Sequence, residues 1–216
     1  MRIIAITAPK HSGKNVISDY LVQNYGYKEY AFAEPIKKAC KEIFLFSDEQ
    51  LYGNLKETID ERWGISPREA LQVIGTEIFQ YKIHDYINSK TFNQIGRGVW
   101  VHRFKLMVES MNIDDKLVIS DLRFPHEAEI IKQYGGEIWR IQRPSLANSD
   151  THSSETEYND IEADKLFIND GSIYDLQLKI KNEMENIKNN VDILNEIGTS
   201  ISSAHRTDDL DKLKYK

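Results

Sequence analysis

Lys10-His11-Ser12-Gly13-Lys14 carries the plainest chemistry in this chain. It sets two ammonium groups, a hydroxyl and a glycine between the apolar run Ile3-Ile4-Ala5-Ile6 and a helix-forming segment. A turn that opens a helix aims unpaired backbone N–H groups and the positive end of the helix dipole at one point, and Lys14 adds a full charge there. A di- or triphosphate suits that point. Against the phosphate-loop pattern G-x-x-x-x-G-K-[ST], Ala8 stands at the first glycine and Asn15 at the hydroxyl that holds magnesium. The strand before and the helix after supply the context the pattern requires; a plain strand-to-helix turn carrying surface lysines is the alternative.

Three further cations and one acid stand at comparable places. Lys37 follows Ala33-Glu34-Pro35-Ile36 at a helix start, and Arg68 follows the helix start Ser66-Pro67. A cation beside a helix N-terminus loses a few tenths of a kcal/mol of dipole energy, roughly. An anionic ligand would account for both; solvent exposure for Lys37, and a salt bridge from Arg68 to Asp60, Glu61 or Glu69, would account for them equally. Asp121 and Arg123 end the apolar run Leu117-Val118-Ile119. On the carboxyl edge of a parallel strand, such an acid can order magnesium through water, and the arginine can reach a transferring phosphoryl group. A helix cap plus a local ion pair is the other reading.

The 216 residues, 40% of them hydrophobic, provide for one ordinary domain with a real core. A net charge of −6 gives no overall field that favours nucleic acid or an anionic membrane. The lone Cys40 excludes an internal disulfide framework and suits a reducing compartment, with a buried core position as its expected role. No 18-residue apolar stretch or signal-type N-terminus occurs, so a soluble cytoplasmic protein is expected. His152 has no second His or Cys at ligand spacing, which argues against zinc.

The elements that must position these residues follow from periodicity. Helical spacing of Val16, Tyr20, Leu21 and Tyr25 predicts a helix that Gly26 ends, then a strand over Lys28 to Phe32. Ile36, Ala39, Cys40, Ile43 and Phe44 predict a second helix, and Leu71, Ile74, Ile78 and Phe79 a third that starts at the Ser66 cap. Ser47 to Trp63 reads as a loop with a short helix, and Asn88 to Gly98 as a polar loop before a helix from Val99 to Met111. His126 to Tyr134 is a helix, Glu137 to Ile141 and Lys165 to Ile168 are strands, and Ser145 to Asp164 has the composition and length of a lid. Inside that lid, Thr151-His152-Ser153-Ser154-Glu155 has a capping-box pattern. Ser172 caps a closing helix with Ile173, Leu176, Leu178, Ile180, Met184 and Ile187 as apolar positions, and a polar tail runs from 188 to 216.

The order of these parts is more specific than any one motif. The carriers are Lys10 to Lys14, Phe32 to Lys37 (F-A-E-P-I-K), Leu71 to Glu77 (L-Q-V-I-G-T-E), Trp100, and Asp121-Leu122-Arg123 with His126-Glu127. Arg143-Pro144, Ser149-Asp150-Thr151-His152 with Glu155, and Ile168 to Ser172 complete the set. Over Met1 to about Ile187 the sequence resembles the deoxynucleoside monophosphate kinases of large DNA phages and viruses. The resemblance implies an α/β, P-loop NTPase-like three-layer fold with a parallel central sheet flanked by helices. It implies a kinase domain over 1–187, with acceptor-binding helices over about 34–112, a lid-like segment over about 144–165, and the tail beyond. The implied reaction moves the γ-phosphoryl group of ATP to a deoxynucleoside monophosphate (dNMP), with Mg2+, in the host cytoplasm.

By the same resemblance, Lys10, His11, Ser12, Gly13, Lys14, Asn15 and Val16 line the donor phosphates. Ile36, Lys37, Arg68, Gln72, Gly75, Thr76, Trp100, Asp121, Arg123, Glu127, Thr151 and His152 form the acceptor site. Lys14, Asp121, Arg123 and Arg143 are the implied catalytic set; no side chain is a direct metal ligand, and Asp121 acts on the metal through water. No nucleic acid or membrane partner is implied, and dimerisation is an expectation of the resemblance alone. The family motif often reads Gly-Lys-Asp-Thr, where this chain has Gly13-Lys14-Asn15-Val16, so the acid and the hydroxyl after the lysine are both missing. Phosphomevalonate kinases are similar over the K-x-S-G-K turn, the Pro-x-Lys helix and the Ser-Asp-x-Arg strand end. A phosphomevalonate kinase-like enzyme and a nucleotide-binding relative without turnover are therefore the alternatives.

Overall fold

Strand β1 (Arg2–Thr7) is buried at every position from Ile3 onward, the mark of a strand covered on both faces. It sits at the centre of a parallel five-stranded sheet ordered β2-β3-β1-β4-β5, where β2 is Lys28–Tyr30, β3 Lys116–Leu122, β4 Glu137–Gln142 and β5 Lys165–Ile168. Ile4 pairs with Val118 of β3 on one side and with Glu137 of β4 on the other. The connections therefore reverse direction at β1, and the carboxyl edge of the sheet opens there into a crevice. This computed structural model describes residues 1–146 and 157–212, with 194–212 as backbone only.

Helix α1 (Lys14–Tyr25) leaves the turn after β1 and ends at Gly26, whose φ of 70° suits a residue without Cβ. Ile17, Ser18 and Leu21 are its buried positions, one residue off the spacing expected through Val16 and Tyr20. After β2 come α2 (Glu34–Phe44) and α3 (Asp48–Tyr52), the latter closed by a reciprocal Ser47–Gln50 capping box. The insert that follows is held by Asp60, which accepts from Arg62 Nε at 2.9 Å and Gln50 Nε2 at 2.8 Å. The Arg62 guanidinium and the Gln50 amide hold that carboxyl well below the usual carboxylate range.

Helix α4 (Pro67–Gln72) starts as its sequence requires, with Ser66 Oγ accepting from Glu69 N–H at 3.2 Å. It does not continue as an α-helix. Val73–Lys82 winds as a π-helix, in which each turn takes in an extra residue; Ile78, expected on the apolar face, is exposed, while Thr76 and Gln80 are buried. Helices α5 (Ile83–Tyr86), α6 (Lys90–Ile95) and α7 (Val99–Val108) follow. Helix α6 lies where polar composition predicts a loop: Ser89 Oγ accepts from Phe92 N–H at 3.4 Å and supplies the start that composition hides. Helix α8 (Pro125–Gln133) joins β3 to β4.

The core is built on Ile3, Ala5, Leu117 and Ile119 of the sheet with Phe32, Cys40, Phe104 and Ile131 from its surroundings. Cys40 is fully buried, and burial pushes its thiol up to about 11, as suits an inert packing residue.

Two compact units divide the chain, Met1–Asp170 and Gly171–Lys216. In the second unit, α9 (Ile173–Lys212) runs without a break past residue 188, where composition predicts a polar tail. The segment contains no proline, and Lys181 and Glu185 pair at 3.8 Å one turn apart. Ser172 and Asp175 cap its start reciprocally, while Ile173 and Leu178, expected among its apolar positions, are exposed. Among the described residues no helix is long and apolar enough to cross a membrane.

Candidate active site

The turn after β1 is pulled into a loop by its own side chains. Ser12, buried, donates from Oγ to Pro9 O at 2.7 Å, and Lys14 Nζ donates to Ala8 O at 2.7 Å and Pro9 O at 2.8 Å. His11 at φ 62° and Gly13 at φ 105° both take left-handed backbone, so the loop turns twice within three residues. From outside, Asn169 Nδ2 holds Ser12 O at 2.8 Å and Arg143 Nη1 reaches His11 O at 3.3 Å. Arg143 thus borders the loop, and Lys10 leaves it toward Glu57 at 3.7 Å. Val16 follows on the first turn of α1, half-buried.

Two clefts meet beside this loop. The first, about 570 Å³, gathers Ile36, Arg68, Gln72, Gly75, Thr76, Trp100, Asp121, Arg123 and Glu127 from four separate stretches of chain, with Phe32, Leu71, Lys56 and Gln80 beside them. The second, about 1310 Å³ and open, runs along Lys14, Asn15 and Lys37. Lys37, expected in the acceptor site, lines this loop-side cleft, its ammonium 4.6 Å above the Tyr52 ring. Thr151 and His152 lie outside the described residues, as do the capping-box pattern around them and most of the lid-like segment. Lys56 and Gln80 were missed by sequence reasoning. Lys56 sits in the irregular insert and carries no signal, but Gln72, Thr76 and Gln80 form a polar stripe at steps of four within an apolar helix, which is a readable one.

Several groups that line the first cleft have traceable partners. Arg68 lines the first cleft, and the salt bridge offered as its alternative reading forms with a different acid: Nε donates to Glu57 Oε1 at 2.5 Å, not to Asp60, Glu61 or Glu69, so one carboxylate joins this arginine to Lys10 of the loop. At Gly75 a Cβ would lie 2.6 Å from Ile36 Cδ1, so a side chain there would make that methyl end shift. The Gly75 carbonyl accepts from Trp100 Nε1 at 2.9 Å, which fixes the indole against the π-helix. Asp121 Oδ1 accepts from Phe32 N–H at 2.8 Å and Oδ2 from Ala33 N–H at 2.9 Å, so the carboxylate ties the carboxyl end of β3 to the start of α2. Asp121 does not cap the helix that follows it; its carboxylate binds the two N–H groups that lead into α2. Glu127 takes the task at that following helix, accepting from Arg123 N–H at 3.0 Å and Phe124 N–H at 3.1 Å. It is buried, and loss of water pushes its carboxyl up to about 8, so it is largely protonated and uncharged at neutral pH.

The deoxynucleotide monophosphate kinase family model matches residues 2–58 and 41–180, which is most of the chain. The chain belongs to the deoxynucleotide monophosphate kinase family. A putative deoxynucleotide monophosphate kinase of Acanthamoeba polyphaga mimivirus is 38% identical over 193 residues, 86% of this kinase and 97% of the viral protein. The deoxynucleotide monophosphate kinase of Enterobacteria phage T4 is 22% identical over 86% of this kinase and 99% of its own length. Among solved structures, a dephospho-CoA kinase from Campylobacter jejuni matches with a TM-score of 0.42 and 15% identity, over 86% of this kinase and 97% of that chain. The parallel sheet and its switch point at β1 stand on the strand order itself.

Proposed function

We propose that this kinase moves the γ-phosphoryl group of ATP onto a deoxynucleoside monophosphate, giving ADP and the deoxynucleoside diphosphate. The observation that carries the reading is a shared wall: Ala33, Lys56, Asp121 and Arg123 line both clefts, so phosphates arriving from either side meet the same two cations. Lys14 and Asn15 mark the donor side. Phe32, Leu71 and Trp100 give the other side flat apolar walls suited to a nucleobase.

In the step itself, an acceptor phosphate oxygen attacks the γ-phosphorus in line, the bond from that phosphorus to the β,γ-bridging oxygen breaks, and ADP leaves with the electron pair. Such a transfer needs alignment and charge neutralisation and no protein nucleophile. Lys14 exchanges the carbonyls of Ala8 and Pro9 for donor phosphate oxygens, Arg68 holds the acceptor phosphate, and Arg123 with Lys56 stands where the two phosphates meet. Arg143, on the loop beside His11, adds charge from the β4 side. A neutral Glu127 places no anion against an incoming phosphate.

Mg2+ enters this reading bound to the donor phosphates. Asp121 fits an indirect role, since each of its oxygens accepts one backbone N–H and keeps a lone pair that can order a metal-bound water. When bound, the ion would supply charge neutralisation to the donor phosphates. Asn15 and Val16 offer neither acid nor hydroxyl, so neither would hold the ion as the hydroxyl of the usual phosphate-loop pattern does. We assign the reaction to the cytoplasm, where ATP is supplied and a reduced Cys40 persists.

A coupled assay with ATP, Mg2+ and each of the four dNMPs, with phosphomevalonate as a control acceptor, tests the reading. Turnover with at least one dNMP and none with phosphomevalonate is expected. ATP binding without transfer to any dNMP would sink it.

A further inference from the structure

Resting on the reading that the 570 Å³ cleft takes the acceptor nucleotide, we propose that Gln80 reads the nucleobase, its amide oxygen accepting a hydrogen bond from an N–H on the base edge. Gln80 lies on the π-helix, is 2% exposed and lines the cleft; among the described residues, its Oε1 is buried with no hydrogen-bond partner. A buried, unpaired amide oxygen is costly, and leucine would fill such a site without that cost. The expense is explained if a ligand supplies the donor.

Position separates base from phosphate. The cations Lys56 and Arg123 lie on the wall shared with the loop-side cleft, which marks the phosphate end. Gln72, Thr76, Gln80 and Trp100 line the acceptor cleft alone, and the first three, at the end of α4 and along the π-helix that continues it, lie at steps of four. Each of the four DNA bases offers an N–H donor, either a ring imino group or an exocyclic amine, whereas the phosphate offers none near neutral pH. The deoxyribose 3′-hydroxyl is the remaining donor an amide oxygen could meet. A site built around a buried polar group rejects ligands that leave it unpaired, so Gln80 would also set the ranking among dNMPs.

The test compares Gln80→Leu, and Gln80→Met should the leucine variant fold poorly, with wild type. Calorimetry measures Kd for each dNMP and for the 2′,3′-dideoxy analogue of the tightest one, and needs no turnover. The expected result is a Tm equal to or above that of wild type, and Kd raised about tenfold for the preferred dNMP. The dideoxy analogue should show the same fold-loss, the four dNMPs should bind with more nearly equal affinity, and Kd for ATP should stay within about twofold. Wild type that binds dNMPs and a variant that binds them equally well overturns the role of Gln80 alone. A loss that disappears with the dideoxy analogue assigns Gln80 to the sugar and overturns base reading. Wild type that binds no dNMP overturns both this inference and the assignment of the cleft.

Discussion

Replacing Glu127 by Gln keeps the acceptor oxygen that holds Arg123 and Phe124 N–H and removes one titrating proton from the folding equilibrium. The native carboxyl titrates near 8, because burial disfavours its charge and Asp121 adds like charge nearby, against about 4.5 for an unperturbed group. Between those values the native state binds a proton that the unfolded chain has released. Stability is therefore lost as pH rises through that window. His126, beside it, is shifted the other way: burial and then Arg97 hold it down to about 4, against 6.5. Below pH 6.5 the unfolded chain takes up a proton that native His126 refuses, so this residue makes stability rise with pH up to 6.5. The two slopes oppose one another between about pH 4.5 and 6.5, and Glu127 acts without that opposition between about 6.5 and 8. Over that upper window, about 1.5 pH units, one proton is worth about 2 kcal/mol. Urea unfolding across pH 5 to 8 should give a wild-type stability that falls by this order above pH 6.5, relative to Glu127→Gln. The variant should instead gain stability steadily from pH 5 to 6.5, as His126 then acts unopposed. Parallel curves for the two proteins from pH 6.5 to 8 would refute the buried, protonated assignment.

Arg68→Ala should raise KM for the dNMP by roughly ten- to a hundredfold, the loss of a charge-assisted contact, with KM for ATP within about twofold. Equal effects on both substrates in steady-state kinetics would count against its place at the acceptor phosphate. Gly75→Ala should make Ile36, which lines the same cleft, move its Cδ1, since the new Cβ would lie 2.6 Å away; because that methyl is the free end of the side chain, the stability cost should sit at the low end of overpacking, about 1 kcal/mol. The measurable result is a raised acceptor KM that Ile36→Val, which removes that Cδ1, restores; a double variant no better than Gly75→Ala would disprove the contact as the cause.

Much of the frame was legible from the chain because its signals are local. Apolar runs such as Ile3 to Ile6 can be buried only in a covered strand, and Ser66-Pro67 announces a helix by its own hydrogen bond. Arg68 and Lys37 stood out because each opposes a helix dipole, and each lines a cleft. The details that escaped depend on tertiary partners. Arg68 pairs with Glu57 across an irregular insert, beyond the near neighbours that sequence suggests. The π-helix depends on packing as much as on composition: Trp100 binds Gly75 O from a helix distant in sequence, and Ile36 approaches where a side chain is missing. The polar stripe that includes Gln80 is legible in the sequence, but the burial of Gln80 accompanies that winding.

Direct transfer, as proposed, requires the two clefts that share Lys56, Asp121 and Arg123 to hold donor and acceptor at once. Phosphorus NMR of wild type and Lys14→Ala, with ATP, Mg2+ and the preferred dNMP, follows both products in one sample. Wild type should form one deoxynucleoside diphosphate for each ADP, and the variant, still folded by circular dichroism, should form neither. ADP appearing without the deoxynucleoside diphosphate, or a Lys14→Ala protein that works at the wild-type rate, would contradict the account.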